Sequence, residues 1–128
     1  HALQAVIKGA KVIATNGDRT CPVDGGVVPD GAGMIGAIEA VIGRKIDLIV
    51  GKPNPMIAKF CLEKMGLTAE RCLMVGDSLE SDIATGKNAG MATCLVLTGI
   101  VTPSILAQSD IRPDLVLDSV VGLVEGIA

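Results

Sequence analysis

The sequence predicts an α/β fold built on a parallel sheet, and three observations carry that expectation. Short apolar runs of β type alternate with helix-patterned segments along the whole chain, as strands joined by crossover helices do. One such run, Cys72–Val75, ends in Gly76-Asp77, and a second aspartate, Asp82, follows five positions later. That pattern describes a strand buried in a parallel sheet, a tight turn, and a helix returning across the sheet. Finally, 128 residues of which 49% are hydrophobic suffice for one domain with a real core.

Taken in order, Ala2 to Gly9 has the pattern of the end of a helix, with Gly9 as its stop. The chain opens there in mid-element, with no capping residue in front. Lys11–Thr15 is a short strand. Residues 16–30 are rich in Gly, Asp and Pro and are expected to form a loop long enough to be functional. Ala32–Ile42 is a helix with Met34, Ile35, Ile38, Val41 and Ile42 on one side and Gly43 as its stop. Asp47–Val50 is a strand leading into Gly51-Lys52-Pro53-Asn54-Pro55. Pro55 suits the first turn of a helix that carries Ile57, Phe60, Cys61, Leu62 and Met65 to Gly66. After the strand Cys72–Val75, a helix is expected from about Glu80 to Asn88, with Gly90 behind it. A strand at Ala92–Leu97, a short helix from Thr102-Pro103 to about Gln108, a strand at Leu115–Leu117 and a helix at Val120–Ile127 complete the chain. There is no internal repeat or low-complexity segment, and a boundary is expected near Gly43–Ile46.

Composition removes several function classes. The core must be aliphatic, because Phe60 is the one aromatic residue. A net charge of −3 argues against a nucleic-acid binder that works by neutralising phosphates, and no aromatics are placed to stack bases. No apolar run approaches ~18 residues without a charge or a breaker, so no membrane span is expected, and no signal peptide is read at the N-terminus. Cys21, Cys61, Cys72 and Cys94 form no Cys-x-x-Cys pair, and the one histidine is His1. A zinc site is therefore not expected, and a reduced, cytosolic protein is. Cys61, Cys72 and Cys94 fall in apolar patterns, where a free cysteine acts as a small hydrophobe.

The candidate chemistry lies at the rim of the sheet. Ligands of open α/β sheets bind outside the carboxyl ends of the strands, where Asp77 falls, with Asp82 about one helical turn further on. Two carboxylates there make a hard oxygen site suited to Mg²⁺. Locally the same residues also fit a helix cap at Asp77 and a solvated Asp82. Lys52 favours the functional reading: it follows a strand and a glycine and directly precedes a helix, where a lysine can hold a phosphate or a neighbouring carboxylate. Asn16 and Asp18 admit two roles, substrate contact or turn formation through their own backbone, and local sequence favours the second.

Three motif matches do not hold. Gly51-Lys52 lacks the first glycine and the Ser/Thr of a P-loop, having Ile46 and Pro53 at those positions. Gly31-Ala-Gly33-Met-Ile-Gly36 spells a dinucleotide fingerprint, but Pro29 and Asp30 separate it from any useful strand. Gly76-Asp-Ser-Leu79 matches the nucleophile block of the GDSL esterases, yet only His1 is available as a base.

With these residues in place, the chain resembles the haloacid dehalogenase (HAD) superfamily of Mg²⁺-dependent phosphatases. More narrowly it resembles the branch of NagD-type and 4-nitrophenylphosphatase-like proteins. Gly51-Lys52-Pro53-Asn54-Pro55 is similar to the motif III lysine segment, and Val75-Gly76-Asp77-Ser-Leu-Glu-Ser-Asp82 to motif IV. Gly86-Lys-Asn-Ala-Gly90, Val96-Leu-Thr-Gly99 and Arg112-Pro113-Asp114 extend the match. Ile13-Ala-Thr-Asn16-Gly-Asp18 resembles the Ala-Thr-Asn-Pro-Asp of the branch's cap domain, with Gly17 in place of proline, and Gly43-Arg44-Lys45 fits as well. The register Thr15-Asn16 could alternatively stand as motif II; the cap assignment accounts for more of the loop and helix that follow.

The resemblance implies a partial Rossmann-like HAD core with a parallel sheet, in residues 44–128, preceded by the C-terminal end of an α/β cap domain in residues 1–43. It implies a phosphatase that hydrolyses small sugar or nucleotide phosphates through an aspartyl-phosphate. Lys52 would stabilise phosphate and nucleophile, Asp77 would bind Mg²⁺, and Asp82 would support the metal site. Asn16 and Asp18 would face the substrate from the cap, with Asn54 beside Lys52 on the phosphate side. One departure is sharp: the family's nucleophile motif, Asp-x-Asp, occurs nowhere in the 128 residues. The chain is therefore expected to be the later part of a longer enzyme, inactive alone. Its partners would be a small phosphorylated substrate and the N-terminal half of the same protein or a complementing chain, with a homodimer left open. The strand Cys72–Val75 would otherwise present an unpaired apolar edge.

Overall fold

The computed structural model describes residues 1–125, so the last two residues expected in the C-terminal helix lie outside the described residues. Two compact units divide at Gly51/Lys52. The division falls there because the strand after Gly43 pairs with the strand before the Gly-rich segment.

In the first unit, helix α1 (Ala2–Ile7) precedes strand β1 (Ile13–Ala14), which pairs in parallel with β4 (Leu48–Ile49) in the register Ile13↔Leu48 and Ala14↔Ile49. Both are shorter than the sequence pattern suggested. Asp47 ties their starts together: its carboxylate accepts from the Val12 N–H at 2.9 Å, from Lys11 Nζ at 3.0 Å and from Arg44 at 3.2 Å. Those donors, led by the Val12 N–H, hold the Asp47 carboxyl down at about 2.

The segment expected to be a loop, residues 16–30, instead contains an antiparallel hairpin, β2 (Thr20–Val23) with β3 (Gly26–Pro29), joined by Asp24-Gly25. Gly25 adopts φ +81°, a left-handed backbone conformation that favours glycine. Pro22 and Pro29 are tolerated because both sit in an exposed ribbon that, among the described residues, has two strands only. Helix α2 (Gly31–Ile42) is capped by Asp30, which accepts from the Gly31 N–H at 2.7 Å. Its apolar side is less covered than its pattern suggested: Ile35, Ile38 and Ile42 are half-buried, whereas Met34 and Val41 are exposed. Among the described residues of this unit none is fully buried.

In the second unit a three-stranded parallel sheet runs in the order β5 (Leu73–Gly76), β6 (Ala92–Val96), β7 (Leu115–Leu117). The expected edge is present, since among the described residues β5 pairs with β6 alone. The central strand β6 is buried from Thr93 to Val96, as a strand covered on both faces must be. Leu95 packs with Leu79, Ile83 and Val101, and Leu97, Leu106 and Ile111 close around them. This aliphatic cluster is the core.

Helix α3 (Met56–Met65) buries Ala58 and Leu62, while Ile57, Phe60, Cys61 and Met65 remain exposed. Cys61 is thus not the small core hydrophobe its pattern suggested; Cys94 is. A π-helical turn at residues 79–83 leads into α4 (Ala84–Ala89), and α5 (Pro103–Gln108) and α6 (Val121–Glu125) follow the later strands. The expected helix stops at Gly43, Gly66 and Gly90 all adopt the left-handed conformation. Among the described residues no helix is long and apolar enough to cross a membrane.

Asp114 locks β7 to β6. Its carboxylate accepts from Lys87 Nζ at 2.7 Å and from the Thr93 N–H and hydroxyl at 2.8 and 2.7 Å. The Lys87 ammonium and the two Thr93 donors hold its carboxyl at about 2. A carboxyl depressed in the folded state stabilises the fold above its unfolded value of about 3.9, and that stabilisation is lost as pH falls through the folded value. The thermal midpoint should therefore fall between pH 4 and 2, and Asp114→Asn should flatten that part of the profile while lowering the midpoint at pH 7.

Candidate functional site at the carboxyl end of the sheet

The site grows from the turn after β5. Asp82 is 8% exposed, and its carboxylate is the hub. Oδ1 accepts from Lys52 Nζ at 2.6 Å, while Oδ2 accepts from the backbone N–H groups of Asp77 at 3.2 Å and Ser78 at 3.3 Å. A side chain five residues downstream reaches back to the turn because the chain winds there as a π turn. The Ser78 carbonyl accepts from both the Asp82 and the Ile83 N–H, at 3.1 and 3.0 Å. Ser78 Oγ caps that turn by accepting from the Ser81 N–H at 3.3 Å. The serine of the Gly-Asp-Ser-Leu string is thus a helix cap.

Gly76 makes the fold-back feasible, since a methyl group built on it would overlap the Asp82 side chain. Asp77, half-exposed at the rim, lies against the backbone of Gly99 in the loop after β6. Among the described residues no hydrogen-bond donor meets its carboxylate.

Lys52, Asp77 and Asp82 therefore lie together at the turn after β5, with bonds that local spacing does not reveal. Asp82 is spent on Lys52 and on two backbone donors, leaving Asp77 as the carboxylate available to a ligand. Among the described residues no group of three or more His, Cys, Asp or Glu side chains is gathered for a metal. Asn54 Oδ1 accepts from the Met56 N–H at 3.0 Å, so at least this oxygen serves the start of α3. In the first unit, Asn16 Oδ1 accepts from the Asp18 N–H at 2.7 Å and Asn16 Nδ2 donates to Asp30 at 3.0 Å. Turn formation, the role local sequence favoured for Asn16, is present. The roles of Gly76 and Gly99 left no readable mark, because a glycine carries no sign of what its missing side chain makes room for.

Residues 49–123 match the model of the HAD-hydrolase-like family. The sugar-phosphatase AraL of Bacillus subtilis is 49% identical over 120 residues, covering 94% of this chain and 43% of that protein. The crystal structure of a 4-nitrophenylphosphatase from Thermotoga maritima superposes with a TM-score of 0.94 at 44% identity, covering 99% of this chain and 49% of the other. NagD from E. coli K-12 gives a TM-score of 0.78 at 35% identity, with 92% and 46% covered. The chain spans slightly less than half the length of these relatives.

Asp82→Ala strips three donors of their acceptor, whereas Lys52→Ala leaves the buried Asp82 carboxylate without its counter-charge. By equilibrium denaturation each should cost about 2–3 kcal/mol. A loss well below about 1 kcal/mol for Lys52→Ala would show that the two backbone bonds alone sustain the buried charge.

Proposed function

Because this chain belongs to the HAD-hydrolase-like family, on the branch that includes NagD and the 4-nitrophenylphosphatases, we propose that it forms the later half of a Mg²⁺-dependent phosphatase. The substrates would be small phosphomonoesters of the sugar or nucleotide type. Its relatives are phosphatases. The observation that carries the reading is the Lys52–Asp82–Asp77 cluster at the carboxyl end of β5.

The donor set fits Mg²⁺, which is commonly held by one or two carboxylates and keeps waters and substrate phosphate oxygens as its other ligands. Asp77 would hold the ion, with Asp82 supporting it by fixing the turn. When bound, the ion supplies neutralising charge at the phosphoryl group. Lys52, held by Asp82, places a second positive charge where negative charge accumulates on the transferring phosphoryl oxygens. Because Asp82 orients the lysine before substrate arrives, little reorganisation remains for the reaction step.

The nucleophile would be an aspartate outside the 128 residues, on the N-terminal half of the same protein or on a complementing chain. Its carboxylate attacks phosphorus, the alcohol leaves with a proton from a neighbouring acid, and water then hydrolyses the aspartyl-phosphate. The absence of Asp-x-Asp, the single-sided pairing of β5 and the coverage of slightly under half of each relative support this arrangement. Residues 1–43 would end the cap, with Asn16 and Asp18 facing the substrate and Asn54 near its phosphate. Four free cysteines fit a reducing, cytosolic compartment. The alternative is a non-catalytic module that binds a phosphorylated ligand on the same rim, favoured by the lack of a nucleophile motif within these residues.

The natural polypeptide, identified by intact mass and N-terminal sequencing, should release phosphate from sugar phosphates only with Mg²⁺. Asp77→Asn should bring that release to background, and Lys52→Ala should slow it about 10²–10³-fold. Ligand binding without turnover in the natural polypeptide would select the binding module.

A further inference from the structure

We propose that Gly99 is a positioning residue for Asp77, its bare backbone setting the direction of the carboxylate that the phosphatase reading assigns to the metal. The inference rests on that reading for the metal, and on geometry alone for the contact.

The loop after β6 is pinned at both ends. Leu97 donates its N–H to the Leu117 carbonyl at 2.9 Å and packs against the core, and Val101, 5% exposed, is part of the core cluster itself. Between these anchors the exposed Gly99 comes directly against Asp77. A methyl group built on it would overlap the Asp77 Cβ, Cγ and Oδ2 together. Gly99 does not adopt the left-handed conformation that favours glycine, so its own backbone would accept any L-residue. The obstacle to a side chain is Asp77.

Asp77 is thus gripped from two directions. Its N–H is held by Asp82 Oδ2 at 3.2 Å, and its side chain lies on the Gly99 backbone. Two loops from neighbouring strands therefore meet at one carboxylate. A larger residue at position 99 must displace the carboxylate, because the loop carrying it cannot retreat without pulling Leu97 or Val101 from the core.

The test uses the natural full-length chain with Gly99→Ala, Asp77→Gly and the double variant. In excess EDTA, Gly99→Ala should lower the thermal midpoint by about 5 °C or more. The same change should cost much less on top of Asp77→Gly, which removes all three atoms in the way. By calorimetric titration, Gly99→Ala should weaken Mg²⁺ binding about tenfold or more. Gly36→Ala, with nothing within 4 Å of the added methyl, should leave that affinity unchanged. Equal thermal losses in both backgrounds, or an unaltered Mg²⁺ affinity in folded Gly99→Ala, would overturn the proposal. Should Gly99→Ala fail to fold, recovery in the double variant supports it and continued failure refutes it. A parent chain that shows the thermal coupling but binds no Mg²⁺ would overturn the metal assignment of the site and leave the Gly99–Asp77 contact standing.

Discussion

A single buried carboxylate organises the functional end of the sheet. Burying an ionised group is expensive unless charge and hydrogen bonds replace the water it loses. Asp82 meets that requirement with the Lys52 ammonium on one oxygen and two backbone N–H groups on the other. The same three bonds join the segment before α3 to the turn after β5 and fix the direction in which Asp77 leaves the strand. Everything proposed for phosphate and metal depends on that junction, since both charged partners are placed by it. The π turn and the bare Cα of Gly76 are its geometric conditions.

Burial in the rest of the chain is uneven, and the imbalance bears on function. The second unit has an aliphatic core around Leu95 and a central strand covered on both faces. The first unit has no fully buried residue among those described, and it carries an apolar groove of about 550 Å³ lined by Leu3, Val6, Ile13, Ile38 and Val41 among others. Apolar faces of this kind and a one-sided β5 are what a chain displays when further polypeptide is needed to cover it. The proposed N-terminal half would meet that need at β5.

The alternation of strands and helices, the parallel pairing and the strand-end aspartate were all legible from sequence, because buried strands and glycine-stopped helices leave periodic marks. Lys52 and Asp77 were legible for a related reason: strand, glycine and charged residue in succession define a rim position before any partner is known. The hairpin at residues 20–29 was missed, although Val23-Asp24-Gly25-Gly26-Val27 carries an Asp-Gly turn signal. The Gly, Asp and Pro content of residues 16–30 has the composition of a loop, whereas a solvated two-stranded ribbon tolerates both prolines.

By itself, then, the sequence determined the α/β class, the element order and which residue types stand at the carboxyl rim, since these follow from local pattern. Tertiary structure alone decided how the two aspartates divide their work. Whether Asp82 faces a ligand or a lysine 30 residues away depends on how the turn winds. Whether Asp77 is steered depends on a glycine in a loop from the neighbouring strand. Such contacts join residues distant in the chain, and a glycine that makes room for a carboxylate leaves no trace in the pattern around it.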